Sequence, residues 1–318
     1  MNGPSYPAMG EQLTTAITVA AITARKHDLL MLHAGAVADP VTGAVVAFIG
    51  RSGAGKTTAI IALARHFGYV TDETTAIQDD LVVVPYPKPL SVINPGPDHH
   101  KDQLSPDDLG LLDLPALPLK IVALLVLDRS DDHPADAPAV LEPVELADVV
   151  PELVAQISFL SARERPLQRL QDLVHACGGL QRVSYREASS LHVVVRALFD
   201  SPEVASRLAT DTVIGAPRSE QATSAPIGSV ADVPHYQCSP VNDAIGQDGR
   251  VIVLQGNRVQ VLDGIAPALW SAAARPRSLD DLVAAVLAVH GAPVGGGATG
   301  LVRAAADELV EGGILTRH

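Results

Sequence analysis

The segment that most constrains this fold is a glycine-rich stretch at residues 50–58, GRSGAGKTT. It matches the pattern G-x-x-x-x-G-K-[ST], whose fixed positions are Gly50, Gly55, Lys56 and Thr57. The apolar run at residues 44–49 is typical of a buried strand, and residues 57–66 have the apolar spacing of a helix. A strand, a glycine-rich turn and a helix in this order aim backbone N–H groups and a helix dipole at a phosphate.

The motif predicts a site for a nucleoside triphosphate, with ATP as the nucleotide and Mg²⁺ as its metal ion. Lys56 would reach the β- and γ-phosphates, and the Thr57 hydroxyl would coordinate Mg²⁺. An ordinary turn before a helix is the alternative, but the chain has only five lysines, which argues against a chance lysine here. The residues predicted to bind the nucleotide are Gly50, Arg51, Ser52, Gly53, Ala54, Gly55, Lys56, Thr57 and Thr58.

Composition and net charge limit the classes of molecule that this protein is expected to bind. With 47% hydrophobic and 19% charged residues, the chain can bury substantial cores. A formal net charge of −13 without a basic cluster predicts that neither nucleic acid nor a membrane is a partner. Cys177 and Cys238 lie far apart, as free thiols in a reducing compartment would. Residues 16–24 are apolar but interrupted by threonine, which predicts an amphipathic helix, not a signal peptide, and a cytoplasmic protein.

The residues before the phosphate loop predict a hairpin, with a strand at 29–38, a tight turn at 39–43 and the strand at 44–49. Such an entry makes the sheet mixed, and the apolar run at 119–127 predicts a central strand in it. The other elements expected are strands at 69–70, 74–77, 81–85 and 181–185, helices at 152–159, 166–177 and 188–199, and irregular chain at 95–118.

The predicted fold class is α/β, a P-loop core with a mixed sheet flanked by helices, followed by a small α+β, winged-helix-like C-terminal domain. The expected limits are 1–200 for the core, 201–234 for a linker rich in Ser, Thr, Ala and Pro, and 235–318 for the last domain. In that domain a few strands should precede three helices, with a hairpin at 251–262. Ser278 and Asp281 form a credible helix-start box.

Two acidic pairs compete for the roles of base and metal ligand that phosphoryl transfer needs. Asp72 and Glu73 follow the strand after the phosphate-loop helix, and ligands gather at such strand ends. Asp79 and Asp80 lie in a turn between two strands, where carboxylates are common. The position of the first pair favours it for both roles.

The segments LHAGAV, GRSGAGKTT and YVTDE, at this spacing, resemble the catalytic core of the HPr serine kinase/phosphorylase family. The resemblance implies that Asp72 is the base that takes a proton from a serine or threonine hydroxyl. It also implies that Glu73 helps to hold Mg²⁺, that His33 lies near the reacting phosphate, and that the protein is a homo-oligomer. Glu73 and Thr57 stand where the family usually has Asp and Ser.

Three other sets of polar residues have both a functional and a structural interpretation. His33 could equally be a packed strand histidine. Lys88, in PYPKPL, could contact phosphate, although a solvated loop lysine is the favoured interpretation. His99 and His100 lack a further spaced metal ligand and are assigned to the surface.

The C-terminal segments DGRVIVLQGNRVQVLDGIAPALW, SLDDLV and AADELVEGGIL resemble coenzyme PQQ synthesis protein D. That resemblance implies a recognition element in which a leader peptide adds as a strand to the sheet edge and lies against a helix. The residues involved would be those of 251–262 and of the helix at 279–289. A purely structural winged-helix-like unit is the alternative.

Together these features predict an ATP-dependent kinase that phosphorylates serine or threonine on a small protein or ribosomally made precursor peptide, recruited by the C-terminal domain. A nucleotide-dependent regulatory protein without transfer is one alternative. A small-molecule kinase acting on free serine, with a structural last domain, is the other. The sequence does not decide the acceptor, any reverse phosphorylase activity or the oligomeric state.

Overall fold

The computed structural model describes residues 6–93, 101–209 and 234–318. It divides into two compact units, Met1–Gly215 and Ala216–His318. Most of the expected linker, and the pair His99 and His100, lie outside the described residues. The start of the expected linker is helical, at Pro202–Ala209. No helix among the described residues is long and apolar enough to cross a bilayer.

The first unit contains both strands and helices. Its elements in chain order are α1 (Tyr6–Ala24), β1 (Leu30–Leu32), β2 (Ala34–Ala38), β3 (Ala44–Ile49), α2 (Lys56–Leu63), β4 (Gly68–Thr71), β5 (Thr75–Ile77), β6 (Val83–Val84), β7 (Leu90–Ile93), β8 (Lys101–Leu104), β9 (Lys120–Arg129), β10 (Val140–Val144), α3 (Leu146–Ala155), β11 (Ile157–Ser158), α4 (Pro166–Ala176), β12 (Leu180–Tyr185), α5 (Leu191–Phe199) and α6 (Pro202–Ala209).

The phosphate-loop strand β3 lies inside a six-stranded sheet of order β10-β12-β9-β3-β2-β4 in the described part of the chain. β2 and β3 form the expected antiparallel hairpin. β3 pairs with β9 in parallel, and β9 pairs with β12 in parallel. The sheet is therefore mixed, which confirms the predicted fold class. The carboxyl ends of β3, β9 and β12 consequently share one edge, and this edge carries the phosphate loop.

The expected strand at 29–38 is two strands, because the chain changes sheets at His33. β1 pairs with β5 and β11 in a second sheet, of order β11-β1-β5-β6, whereas β2 belongs to the first. The His33 backbone N–H donates to the Gln156 carbonyl at 2.6 Å, outside both ladders. Apolar periodicity continues through the break, since the strands on both sides are fully buried, and so the sequence does not reveal it.

A helix covers the hairpin at close range. Gly35 of β2 faces α2, and a Cβ built on Gly35 would lie 2.4 Å from Cγ1 of Ile60. Ile60 and Leu63 of α2 join Phe48 of β3 and Phe199 of α5 in one buried cluster. Only glycine therefore allows α2 to rest on β2 at this distance, and this contact fixes the start of α2 relative to the sheet.

Three expectations for the first unit need correction. The helix expected at 152–159 is α3, which begins earlier and ends at Ala155, because Ile157 and Ser158 pair with β1. Part of the irregular region 95–118 forms β8, which pairs with β7. A further strand, β10, pairs with β12 and was not expected. Short pairings such as these are set by distant partners and leave little local pattern.

The second unit is smaller and mixes strands with helices. Its elements are β13 (His235–Cys238), β14 (Asp243–Gln247), β15 (Arg250–Gln255), β16 (Arg258–Leu262), α7 (Ala266–Ala272), β17 (Arg277–Ser278), α8 (Leu279–His290), α9 (Ala298–Glu311) and β18 (Leu315–Arg317).

The expected hairpin of the second unit is present as β15 and β16, with β14 as a third strand beside β15. The capping box is also present, since the Ser278 hydroxyl accepts from the Asp281 N–H and the Asp281 carboxylate accepts from the Ser278 N–H. The order of elements differs from the expectation. β17 lies between helices and β18 follows the last one, and both pair with β13. The strands therefore do not all precede the helices.

Candidate functional site: phosphate loop and acidic pair

The phosphate loop has the backbone that its glycines allow. Gly53 and Gly55 have φ of 82° and 80°, in the left-handed region that favours glycine. Gly55 is the N-cap of α2, so the helix begins at Lys56 and its first N–H groups face the loop. These groups have no partner within a helix and are the donors that bind phosphate. The predicted order of strand, loop and helix is thus confirmed, although α2 ends at Leu63 and not at residue 66.

The side chain of Lys56 lies back against its own loop. Its ammonium donates to the carbonyl oxygen of Gly50 at 2.5 Å and to that of Arg51 at 3.2 Å. Burial lowers the pKa of Lys56, although the carboxylates of Glu73 and Asp72 act in the opposite direction. The ammonium is therefore a partly desolvated cation at the centre of the loop, where its attraction for a phosphate is strongest.

A small turn presents the acidic pair at the end of β4. The buried Thr71 hydroxyl accepts from the N–H groups of Glu73 and Thr74, both at 3.3 Å, which turns the chain as soon as the strand ends. The pairing of β4 with β2 also shifts register, with Ala36 opposite Thr71. Register shifts of this kind re-aim side chains beside active sites. Asp72 and Glu73 therefore project from the edge of the sheet that carries the phosphate loop.

The structure brings Asp72 to the phosphate loop. Its Oδ2 lies 3.5 Å from the hydroxyl oxygen of Thr57, the first-turn residue predicted to coordinate Mg²⁺. Its Oδ1 lies 3.3 Å from the hydroxyl of Tyr69, which also donates to the carbonyl oxygen of Lys88 at 2.9 Å. Only 3% of the Asp72 side chain is exposed. A carboxylate this buried needs charged partners, and one of them is Lys88.

Lys88 is not the solvated loop lysine that the sequence favoured. Its ammonium forms ion pairs with Asp72 Oδ1 at 3.0 Å and Glu73 Oε2 at 3.1 Å, and 4% of its side chain is exposed. Burial lowers the pKa of Lys88, but Asp72 and Glu73 outweigh it and the pKa is raised overall. The residue follows β6 and has only prolines and a tyrosine around it, so its burial leaves no local signal.

Tyr69 is the other site residue that the sequence analysis did not identify. Burial, and next the charge of Asp72, raise the pKa of this tyrosine, so its hydroxyl stays protonated and remains a donor. The sequence identifies Tyr69 only as a strand residue, because its contacts with Asp72 and with the Lys88 carbonyl form only when the chain folds.

His33 lies close enough to the acidic pair and to both lysines to be affected by their charges. Burial lowers the pKa of His33, with Lys56 as the next cause, while Glu73 and Asp72 raise it. A histidine with a lowered pKa is neutral near pH 7 and can donate or accept a hydrogen bond. His33 lies at the break between β1 and β2, and its role near the reacting phosphate stays a prediction.

The second acidic pair is engaged elsewhere. Asp79 Oδ1 accepts from Arg163 at 2.8 Å and from Arg169, and it ties the turn between β5 and β6 to α4 and the chain before it. Asp80 accepts from the Val82 N–H within the same turn. Both contacts are structural, in line with the preference for Asp72 and Glu73.

The predicted metal ligands offer hard oxygen donors. The Thr57 hydroxyl lies 3.5 Å from Asp72, Glu73 is the next residue in the chain, and 38% of the Glu73 side chain is exposed. Mg²⁺ usually takes one or two protein oxygens and completes its shell with water and phosphate, so this pair fits it. Among the described residues no group of three or more His, Cys, Asp or Glu side chains could hold a metal alone.

A polar cavity of about 300 Å³ opens along the phosphate loop, at the carboxyl end of β9. Gly50, Arg51 and Gly53 of the loop line it, together with Asp128 and Arg129. Arg51 reaches across to Glu152 of α3 at 3.1 Å. Four of the nine residues predicted to bind the nucleotide, Gly50, Arg51, Gly53 and Ala54, thus line an open space within the usual size range of small-molecule sites.

Comparison with known proteins adds little to this geometry. No protein-family model matches the chain, and no curated protein matches it either. The solved structures similar to it include the Hpr(Ser) kinase/phosphatase from Coxiella burnetii, with 14% sequence identity and a TM-score of 0.28 over 53% of this chain and 92% of that chain. The family in that name is the one that the motifs resemble. At this identity and TM-score the likeness decides nothing about activity.

Proposed function

We propose that this protein is an ATP-dependent kinase that transfers the γ-phosphate of ATP to a serine or threonine hydroxyl. The observation that carries the proposal is the contact between the phosphate loop and a buried carboxylate, where Asp72 Oδ2 lies 3.5 Å from the Thr57 hydroxyl. Binding of the nucleotide requires only the phosphate loop. Phosphate transfer also requires a base beside the γ-phosphate, because the attacking hydroxyl must lose its proton there, and in this proposal the buried Asp72 is that base.

In this proposal Lys56 and the first N–H groups of α2 hold the triphosphate. Asp72, oriented by Tyr69 and Lys88, accepts the proton of the acceptor hydroxyl as that oxygen bonds to phosphorus and the bond to the β-phosphate oxygen breaks. Thr57 and Glu73 would hold Mg²⁺. When bound, this metal neutralises charge on the phosphates. The neutral His33 supplies a hydrogen bond near the reacting group.

The acceptor in this proposal lies on a small protein or a precursor peptide that the second unit recruits. Its support is the sheet β14-β15-β16, in which β16 is a terminal strand among the described residues, with α8 in the same unit. A terminal strand offers unpaired backbone groups to an added peptide strand. Recruitment would raise the effective concentration of the acceptor. The resemblance to coenzyme PQQ synthesis protein D motivates this part of the proposal, and no comparison supports it.

Transfer from labelled ATP with Mg²⁺ tests the reaction, with candidate precursor peptides and free serine as acceptors. Wild type is compared with Lys56→Ala and Asp72→Asn. Label on a hydroxyl that disappears in both variants, while Asp72→Asn still binds ATP, supports the kinase. ATP binding without transfer to any acceptor would favour a nucleotide-dependent regulatory protein instead.

Peptide recruitment is tested on the acceptor, with the intact enzyme. A precursor peptide is compared with the same peptide shortened to the segment around its phosphorylated residue. If the second unit binds the removed segment, KM rises by about 10-fold or more while kcat stays the same. Equal KM values, or free serine as the better acceptor, would contradict recruitment and leave the kinase itself in place.

A further inference from the structure

We propose that Lys88 is a catalytic residue whose ammonium contacts the γ-phosphate during transfer, as a second cation beside Lys56. The inference rests on the proposed kinase function and adds to it a residue that belongs neither to the phosphate loop nor to the acidic pair. The ion-paired cluster of Lys88, Asp72 and Glu73, in which Lys88 and Asp72 are buried, carries it.

The position of the ammonium is the first argument. A base must lie within hydrogen-bond reach of the hydroxyl it deprotonates, and that hydroxyl oxygen attacks the phosphorus in line. Lys88 Nζ lies 3.0 Å from Oδ1 of the proposed base Asp72 and 3.1 Å from Oε2 of the proposed metal ligand Glu73. The ammonium is thus within hydrogen-bond distance of both the proposed base and the proposed metal ligand, and the γ-phosphate must react beside these two groups.

Charge is the second argument. Without Lys88, two carboxylates would face the γ-phosphate of ATP, and like charges at this range repel one another. The transferring phosphoryl group carries its charge on three equatorial oxygens and needs cations around it. Lys56 lies at the loop side of this space, held by the carbonyls of Gly50 and Arg51. Lys88 supplies positive charge at the acid side.

Pre-organisation is the third argument. The ammonium of Lys88 has three donors, and they contact Asp72, Glu73 and the carbonyl oxygen of Pro89, the last at 3.1 Å. The Tyr69 hydroxyl holds the Lys88 carbonyl at 2.9 Å. Rotation of one N–H from Glu73 to a phosphoryl oxygen keeps every donor paired and leaves Glu73 for the metal. The cation therefore needs only this exchange of one hydrogen bond to serve the transition state.

Binding of a transition-state mimic tests this role without an acceptor. ADP with Mg²⁺ is titrated with and without aluminium fluoride, which imitates the transferring phosphoryl group. Wild type should bind ADP about 100-fold tighter with fluoride present. Lys88→Met should lose most of that gain while binding ADP alone within about 3-fold of wild type, because only the phosphoryl contact is removed. Lys101→Met, at an exposed lysine of the same unit, should keep the whole gain.

Several results would overturn the inference. A Lys88→Met protein that keeps the fluoride gain shows no contact with the phosphoryl group. A parallel loss of ADP affinity shows a structural role only. Lys88→Gln is measured as well, in case the methionine variant unfolds, and Lys88→Arg should recover part of the gain because it keeps the charge. If wild type transfers phosphate while Lys88→Met keeps its fluoride gain, the kinase stands and Lys88 fails. If wild type shows neither, both proposals fail.

Discussion

Two acidic pairs lie close together in the sequence of the first unit, at residues 72–73 and 79–80. In each pair an aspartate forms ion pairs with basic side chains. Asp79 holds two guanidinium groups, of Arg163 and Arg169, and it is 47% exposed. Asp72 holds the single ammonium of Lys88 and is 3% exposed. The other Asp72 contacts are hydroxyls, of Thr57 and Tyr69.

The difference lies in what the partners can do besides pair. Two guanidinium groups, with donors in fixed planes, clamp one carboxylate and join distant chain segments, which is a structural task. An ammonium and hydroxyls are smaller, and their donors can rotate towards an incoming phosphate or alcohol. The ion pair of Asp79 thus stabilises the fold, whereas the surroundings of Asp72 are suited to chemistry.

The same substitution at both aspartates should have the largest difference in effect. Asp72→Asn should lower the rate of phosphate transfer by about 10²- to 10⁴-fold, because an amide cannot accept the proton. Asp79→Asn should leave the rate within about 2-fold of wild type, since its contacts are structural. Single-turnover transfer from labelled ATP measures both. Equal losses at the two positions would show that stability, and not chemistry, explains the effect at Asp72.

Tyr69→Phe tests whether the hydroxyl beside Asp72 orients that carboxylate. The variant removes the donor shared by Asp72 and the Lys88 carbonyl, so both side chains lose part of their orientation. We expect kcat to fall by about 10-fold with KM for ATP unchanged, since misorientation affects the reacting geometry more than binding. Tyr86→Phe is the control, because its hydroxyl contacts Thr18 instead. Unchanged kcat in Tyr69→Phe would contradict an orienting role.

Asp79 should be the more important aspartate for stability. Asp79→Asn weakens two hydrogen bonds to charged donors and leaves Arg163, whose side chain is 4% exposed, without its carboxylate. We expect the free energy of unfolding to fall by about 1–2 kcal/mol, as is typical of such bonds when one partner is half-exposed. Urea unfolding measures the change. A fully stable Asp79→Asn protein would show that this network does not join the two segments energetically.

The sequence predicted the parts of the site that are local in the chain. The phosphate loop, the hairpin before it and the acidic pair after β4 each lie within a few residues, and the pattern of each reports its own backbone. Lys88 and Tyr69 were missed as site residues because their roles come from partners brought in by folding. The break at His33 was missed for the same reason, since burial on both sides of it hides the change of sheet.

Pairing between distant segments accounts for the other errors as well. β10, β11, β17 and β18 have between two and five residues each, too few for a period to be recognised. Ile157, for example, continues the apolar pattern of α3 and was assigned to a helix, yet it pairs with Leu32. In the second unit the Ser278 and Asp281 box was predictable, because a capping box is defined by four consecutive positions.

We expect a small effect of His33 on the pH dependence of the free energy of unfolding. Its pKa is lowered in the folded protein by burial and by Lys56, so the folded state binds a proton there less readily than the unfolded chain does. The resulting stability is present above the unfolded pKa of about 6.5 and is lost as the pH falls below it. Urea unfolding of wild type and His33→Gln between about pH 5 and about pH 7.5 isolates this effect, since both proteins share every other histidine. The variant should lose less stability on acidification. Identical slopes would contradict the lowered pKa of His33 and with it the assignment of a neutral histidine to this site.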